Sequence, residues 1–470
     1  MKGLLCMGLK KGDFVELEIT GMAFGGKAIA KVDGLAVFVD KAVPSDRVKA
    51  RIIKKKKSFA EATAVEIIEP SPDRTAPPCE YSGYCGGCKW QFLNYDRQLY
   101  YKQQHVKEAL EHIGLLQGVL VHPVIASESI FAYRNKMEFS CSDKKWVLPS
   151  EFVPGEKTAG FALGLHVPGT FDKVLDIKSC LLQPDTGNLI LNDVKDFIKN
   201  SDIPVYGLRS HEGFWRFLML RNSAAYGKWM VNIITSVQEN KIVKPLSDML
   251  MEKYPDVVSV INNITSSKAG VAIGEYENVL AGYSCITDKL GVFEFEISAN
   301  SFFQTNTKGA QILYNKVKEF AQLSGKETVI DLYSGTGTIP IFLSEDASEI
   351  SGIEICESSV SDAKKNCIIN GISNCTFITG DIKNSFSKID KKPDVIIIDP
   401  PRVGMHKDVV KQVVDISAER IVYVSCNPAT LARDLLVLKD YYDVMEVQPV
   451  DMFPHTFHIE SVARLEKKHI

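Results

Sequence analysis

The segment that most restricts the possible folds is Thr328-Val329-Ile330-Asp331-Leu332-Tyr333, followed at once by Ser334-Gly335-Thr336-Gly337-Thr338. A short apolar run bounded by glycine reads as a strand buried on both faces, and the apolar stretch from Ile339 reads as a helix. Strand, glycine turn and helix together open a parallel α/β sheet, a fold that binds ligands beyond the carboxyl ends of its strands. Gly-x-Gly alone is weak, because any tight strand-to-helix turn uses glycine. Its surroundings strengthen it. Glu354 ends the next strand, where a carboxylate takes ribose hydroxyls, and the strand Asp394 to Ile398 brings Asp399-Pro400-Pro401-Arg402 to the same edge.

Two nucleoside cofactors suit such a site. A dinucleotide needs a third glycine at the helix start to admit its pyrophosphate, and this chain has Ile339 and Pro340 there, which favours S-adenosylmethionine. Asp-Pro-Pro also ends strands in enzymes that methylate planar nitrogens. Those continue with an aromatic residue, and here Arg402 follows. A further strand, Arg420 to Val424, runs into Ser425-Cys426-Asn427-Pro428 just before a helix. Taken alone, Cys426 reads as a packing thiol. Beside a methyl donor it reads as a nucleophile whose thiolate is favoured by the helix dipole. Carbon 5 of uracil is a poor nucleophile until a thiolate adds at carbon 6, and release then needs a base for the carbon 5 proton. Phe453-Pro454-His455-Thr456-Phe457-His458-Ile459-Glu460 offers His and Glu candidates, although a glutamate on a strand is equally a solvated edge residue.

The stretches from Ser425 to Asp434, from Asp399 to Arg402 and from His458 to Glu460, with Phe302-Phe303-Gln304-Thr305-Asn306, resemble the motifs of RNA uracil-5 (m5U) methyltransferases. The resemblance implies Cys426 as nucleophile and Glu460 as base. It also implies Gln304, Tyr333, Glu354 and Asp399 around S-adenosylmethionine and the target base. Arg402 is read as a contact to base or RNA on its position alone.

Eleven cysteines do not pair off, and a cytoplasmic protein has little use for a disulfide framework. Cys6, Cys141, Cys285, Cys356, Cys367 and Cys375 read as packing thiols. Cys79, Cys85 and Cys88 share a glycine-rich loop, and Cys180 can return as a fourth ligand, for zinc or for an iron–sulfur cluster. The three-plus-one pattern has one short knuckle where zinc sites usually have two, which favours [4Fe–4S]. The spacing and the fourth ligand argue against radical chemistry. The same four positions resemble the cluster ligands of the 23S ribosomal RNA branch of the family, which also carries an N-terminal TRAM domain; the tRNA branch is expected to lack both.

From Gly12 to Ile68 short alternating runs broken by Gly21, Gly25, Gly26, Gly34 and Pro44 describe a barrel of about five strands. Gly21 to Ala30 and Val43 to Asp46 resemble the TRAM module, an OB-like RNA-binding barrel. Net charge is only −3, but residues 1–70 hold 13 basic and 9 acidic residues, centred on Arg51 and Lys54 to Lys57. A bare charge run is more often a solvated face than a binding patch.

The 470 residues thus read as a multidomain chain. The expectation is an OB-like β-barrel over 1–72, an α+β central domain with the cluster over 73–297, and a Rossmann-like α/β methyltransferase domain over 298–470. Pro70 to Asp73 reads as a linker, and a helix over 94–113 packs on the last domain. No membrane span or secretory signal is visible, so a cytoplasmic monomer acting on single-stranded or flipped uridine in 23S rRNA is expected. A tRNA uracil-5-methyltransferase and a non-catalytic RNA-binding iron–sulfur protein are the alternatives.

Overall fold

The computed structural model describes residues 9–153, 160–386 and 391–469; Cys6 lies outside them. At the N-terminus six strands form one sheet, in the order Phe14–Glu18, Arg47–Lys55, Phe59–Glu69, Leu35–Asp40, Ala28–Val32 and Gly21–Met22. Strict alternation drives it: Val48, Ala50 and Ile52 are buried, while Lys49 and Arg51 face solvent. The sixth strand, beyond the expected five, is the two-residue Gly21–Met22. The Pro70 to Asp73 segment is not a loose linker. The buried Asp46 carboxylate accepts from the Ser71 N–H at 2.9 Å and from Arg74 Nε at 3.0 Å, which ties the segment to the barrel.

A second, eight-stranded sheet carries Lys136–Ser142, Trp215–Asn222, Trp229–Thr235 and Val257–Ile264 at its centre. Helices Asp185–Asn200 and Asn240–Lys253 pack against it through Ile190, Leu191, Val194, Val243, Leu246 and Leu250.

The C-terminal sheet runs Cys375–Thr379, Glu349–Glu354, Thr328–Leu332, Val395–Ile398, Arg420–Ser425, Glu460–Lys467, Tyr442–Val450 and Leu120–Val121. The first five strands are parallel, and Glu460–Lys467 is antiparallel to both of its neighbours. Separate apolar cores cover its two faces. Strand order reverses between Thr328–Leu332 and Val395–Ile398, which opens a crevice at their carboxyl ends.

Two pieces of the 73–297 span sit on this sheet. Helix Tyr95–His112, started by the Asn94 side chain accepting from the Arg97 N–H at 2.9 Å, packs against helix Pro428–Leu438. Its Val106, Ala109 and Leu110 complete one apolar core, and Leu120–Val121 covers the sheet edge beside Tyr442–Val450. The hairpin Cys285–Leu290 with Phe293–Ser298 likewise places Phe295 and Ile297 in the opposite core. The chain therefore leaves and re-enters its C-terminal layer, because that layer's apolar faces need cover that 298–470 alone does not supply.

Among the described residues, no helix is long and apolar enough to cross a membrane.

Candidate active site

At the crevice the chain turns through three strained or glycine-dependent positions. Tyr333 has φ +67°, Gly335 +53° and Gly337 +75°. A Cβ at Gly337 would stand 2.8 Å from the Phe377 ring and 2.9 Å from Ala363, so only glycine lets the turn approach the sheet. The Gly335 N–H donates to Glu354 Oε2 at 3.0 Å, and the Cys356 N–H donates to Oε1 at 2.8 Å. Tyr333 and Glu354 line one cleft of about 840 Å³ with Ile355, Asp381 and Val403.

Gln304 approaches from the other side. Asn135 fixes its loop by donating from Nδ2 to the Gln304 carbonyl and from its backbone to the Thr305 carbonyl, both at 2.8 Å. Thr336 Oγ1 donates to the Phe302 carbonyl at 3.2 Å, so the glycine turn and the Gln304 loop are joined. Asp399 ends the neighbouring strand, and burial pushes its carboxyl up to about 7.

Sequence reasoning missed Asp331, which reads there as one residue of an apolar strand. It is buried, neither carboxylate oxygen has a partner among the described residues, and burial with Asp399 and Glu354 nearby pushes its carboxyl far above the usual range. A buried, unpartnered carboxylate is costly and points to an absent cationic or hydrogen-bond-donating ligand. The signal was available: an aspartate inside a strand buried on both faces is rarely there for packing.

Cys426 follows the strand Arg420–Ser425, and Ser425 pairs with Ser461, so Cys426 and Glu460 lie beside each other on adjacent strand ends. Asn427 caps helix Pro428–Leu438 by accepting the Ala429 N–H at 3.1 Å, and its Nδ2 donates to the Arg402 carbonyl at 3.0 Å. The Arg402 guanidinium donates to His458 Nδ1 at 3.2 Å. Burial works against the thiolate that the helix terminus favours. Burial, reinforced by the Glu460 charge, pushes Cys426 up to about 11, and Arg402 only partly opposes this. Burial and Asp399 likewise push Glu460 far above the carboxylate range. Desolvation, a tertiary effect, outweighs the local dipole here.

Residues 277–468 match the family model for tRNA (uracil-5-)-methyltransferase, and residues 8–65 match the TRAM domain. An uncharacterized RNA methyltransferase of Chlorobaculum tepidum is 43% identical, over 97% of both chains. Another, of Bacteroides thetaiotaomicron, is 43% identical over 95% of this chain and all of its own. The chain belongs to the RNA uracil-5-methyltransferase family. The crystal structure of Pyrococcus abyssi tRNA (uracil-54, C5)-methyltransferase in complex with S-adenosyl-L-homocysteine is similar with TM-score 0.75 and 28% identity, covering 96% of this chain and 100% of that one.

This S-adenosylmethionine-dependent RNA methyltransferase keeps a second constellation apart from the crevice. Cys79, Cys85, Cys88 and Cys180 all line one cavity of about 370 Å³ with Tyr81, Arg134, Lys136 and Thr305. Burial pushes the Cys85 and Cys88 thiols up to about 12, and the thiols also raise one another. Gly86 lets the loop lie close: a Cβ there would stand 2.9 Å from the His166 carbonyl oxygen. Among the described residues no three His, Cys, Asp or Glu side chains close to single-ion ligand distances.

The enzyme's TRAM barrel packs against the segment that leads to Glu460. Its Phe24 ring stands edge-on to Phe457 at 5.7 Å, and Lys89 Nζ donates to the Gly25 carbonyl at 3.1 Å. The run Lys54 to Lys57 lies exposed at the turn into Phe59–Glu69.

Proposed function

We propose that the enzyme methylates carbon 5 of a uridine in 23S ribosomal RNA through a covalent adduct to Cys426. The observation that carries the covalent chemistry is the pairing of Cys426 and Glu460 on adjacent strand ends beside Asp399, while the choice of ribosomal RNA rests on the resemblance of the four cysteines and the TRAM domain to that branch. Cys426, its thiol proton lost to solvent, adds through Sγ to carbon 6, the electron pair passes through carbon 5 to the carbonyl oxygen, and carbon 5 becomes able to accept a methyl group. S-adenosylmethionine supplies that methyl group as an electrophile. Glu460 then takes the carbon 5 proton, and the returning electrons expel the thiolate. Glu354, Tyr333, Gln304 and Asp399 hold the methyl donor, with Asp331 facing positive charge. Both Cys426 and Glu460 must ionise to act, and positive charge from the donor and Arg402 moves both in that direction.

Cys79, Cys85, Cys88 and Cys180 fit a [4Fe–4S] cluster: four thiols face a single cavity roomier than one tetrahedral ion requires. The cluster's part is structural, holding residues 79–88 against the strand Val174–Asp176 and Cys180.

Cys426→Ala abolishes methyl transfer on this reading, and Glu460→Gln accumulates a protein–RNA adduct that survives denaturing electrophoresis. Anaerobically purified protein contains iron and sulfide; stoichiometric zinc would overturn the cluster.

A transfer RNA substrate is the second reading. The Pyrococcus abyssi tRNA (uracil-54, C5)-methyltransferase structure, which covers 96% of this chain and 100% of its own, is the likeness that favours it. Mass-spectrometric mapping of 5-methyluridine in ribosomal and transfer RNA, with and without the protein, decides between them.

A further inference from the structure

The cysteine-rich loop and the segment leading to Glu460 are held by one side chain. Gln98, fully buried on helix Tyr95–His112, donates from Nε2 to the Leu93 carbonyl at 2.8 Å and to the Trp90 carbonyl at 3.1 Å. Its Oε1 accepts the His455 N–H at 2.8 Å, and Nε2 lies 3.2 Å from His455 Nδ1. The His455 carbonyl in turn accepts the N–H groups of Lys89 and Trp90 at 3.0 and 2.9 Å. Lys89 follows Cys88 directly, and Glu460 stands five residues after His455.

His455 is itself in a conformation that needs support. Its φ is +64°, unfavourable for a side chain with a Cβ, and such strain persists only where the surroundings over-determine it. Phe131 stacks on the imidazole with centroids 4.4 Å apart, and Tyr133 Oη donates to the Pro454 carbonyl at 3.1 Å. The ring faces Lys102 and Asp451 as its charged neighbours; burial first, then the Lys102 charge, lowers it to about 4, so it is neutral at physiological pH.

We propose that Gln98 is a positioning residue that clamps the exit of the cysteine-rich loop to His455 and thereby sets the geometry of Glu460 for proton removal from carbon 5. Its carboxamide is the shared partner of residues 90, 93 and 455, with donor and acceptor both used. Disorder at Cys79–Cys88 then reaches the base through Lys89, Trp90 and His455 without passing through the RNA-binding surface. The inference rests on Cys426 and Glu460 acting as nucleophile and base.

The test uses the full-length holoenzyme with Gln98→Ala and Gln98→Glu, the latter keeping an acceptor for the His455 N–H while losing both donors. A misplaced base slows release by about 10²-fold in kcat with the KM for RNA little changed, and the covalent adduct accumulates on denaturing gels. Hydrogen exchange of the amides at 89–93 and 453–458 rises together in both variants. RNA containing 5-fluorouridine separates the two levels of argument. If wild-type enzyme forms no adduct with it, the covalent reading fails. If wild type does, and on unmodified uridine RNA both variants turn over and release product as wild type does, the clamp is wrong. If Gln98→Ala does not fold, Gln98→Glu and wild-type hydrogen exchange still decide: independent exchange of 89–93 and 453–458 would overturn the proposal.

Discussion

Lys102 Nζ lies 2.6 Å from Asp451 Oδ1, and both side chains are closed to solvent. Lys102 also donates to the Phe453 carbonyl at 3.0 Å, and Tyr95 Oη donates to Asp451 Oδ2 at 2.9 Å. One helix thus holds the Asp451 to His458 loop at Asp451, Phe453 and His455, with Lys102 four residues after Gln98 and on the same face. A buried pair contributes little against an apolar replacement of both members, but removing one partner strands a charge. Lys102→Met should cost about 3–5 kcal/mol, and adding Asp451→Asn should recover part of that loss. Urea midpoints of the two variants and the double variant check this; a double variant as unstable as the single would mean that the pair is favourable in itself.

Asp399 gives the fold a pH dependence of definite sign. Its folded value, about 7, lies above the ordinary aspartate value of about 3.9, so the folded state binds this proton more tightly. The stabilisation it contributes is complete below the ordinary value and is lost as pH rises through about 7. The ligand-free enzyme should therefore lose melting temperature between pH 5 and 8, and Asp399→Asn should flatten that slope while impairing methyl transfer. S-adenosylmethionine carries positive charge into the same region, so its binding should release protons at neutral pH. Calorimetry in buffers of different ionisation enthalpy reads this directly.

Gly337→Ala introduces a Cβ at 2.8 Å from Phe377, on a backbone with φ +75°. Crowding and left-handed strain each cost about 1–3 kcal/mol, and they act at the turn that joins Glu354 to the Gln304 loop. The variant should melt lower and bind S-adenosylmethionine more weakly. A wild-type dissociation constant would show that the turn does not shape the cofactor site.

The parts legible in the sequence were those written in local pattern. The run from Thr328 to Leu332 is apolar almost throughout because both faces of its strand are covered, and the barrel alternates because only one side is. The adjacency of Cys426 and Glu460 depends on antiparallel register, which residues far apart in sequence do not announce. The helix terminus that favours the Cys426 thiolate is visible locally, whereas the burial that opposes it is not. Gln98 and His455 sit 357 positions apart with ordinary neighbours, so nothing in spacing or composition marks them as partners. Asp331 could have been found, since a carboxylate in a doubly buried strand is itself an anomaly.

The lysine run on the TRAM barrel has a readable electrostatic signature. Lys54 Nζ is already engaged, 3.2 Å from Glu61, which also accepts from Lys27 at 2.7 Å. Lys55, Lys56 and Lys57 are exposed at the hairpin, and Lys56 Nζ stands 5.4 Å from the Phe59 ring centroid, placing an aromatic face beside positive charge. Phosphate contacts and base stacking on single-stranded RNA need this combination of charge and aromatic face. Every lysine that neutralises a phosphate adds about 0.7 to the slope of log affinity against log salt for a single strand, so removing it lowers the slope by the same amount. Replacing Lys55, Lys56 and Lys57 with Gln should therefore weaken RNA binding most at low salt and reduce that slope by up to about 2, whereas Lys54→Gln should change it less, because Glu61 already offsets that charge. Filter binding across a salt series distinguishes these outcomes; an unchanged slope in the triple variant would mean that the run is a solvated face and that RNA reaches the crevice by another surface.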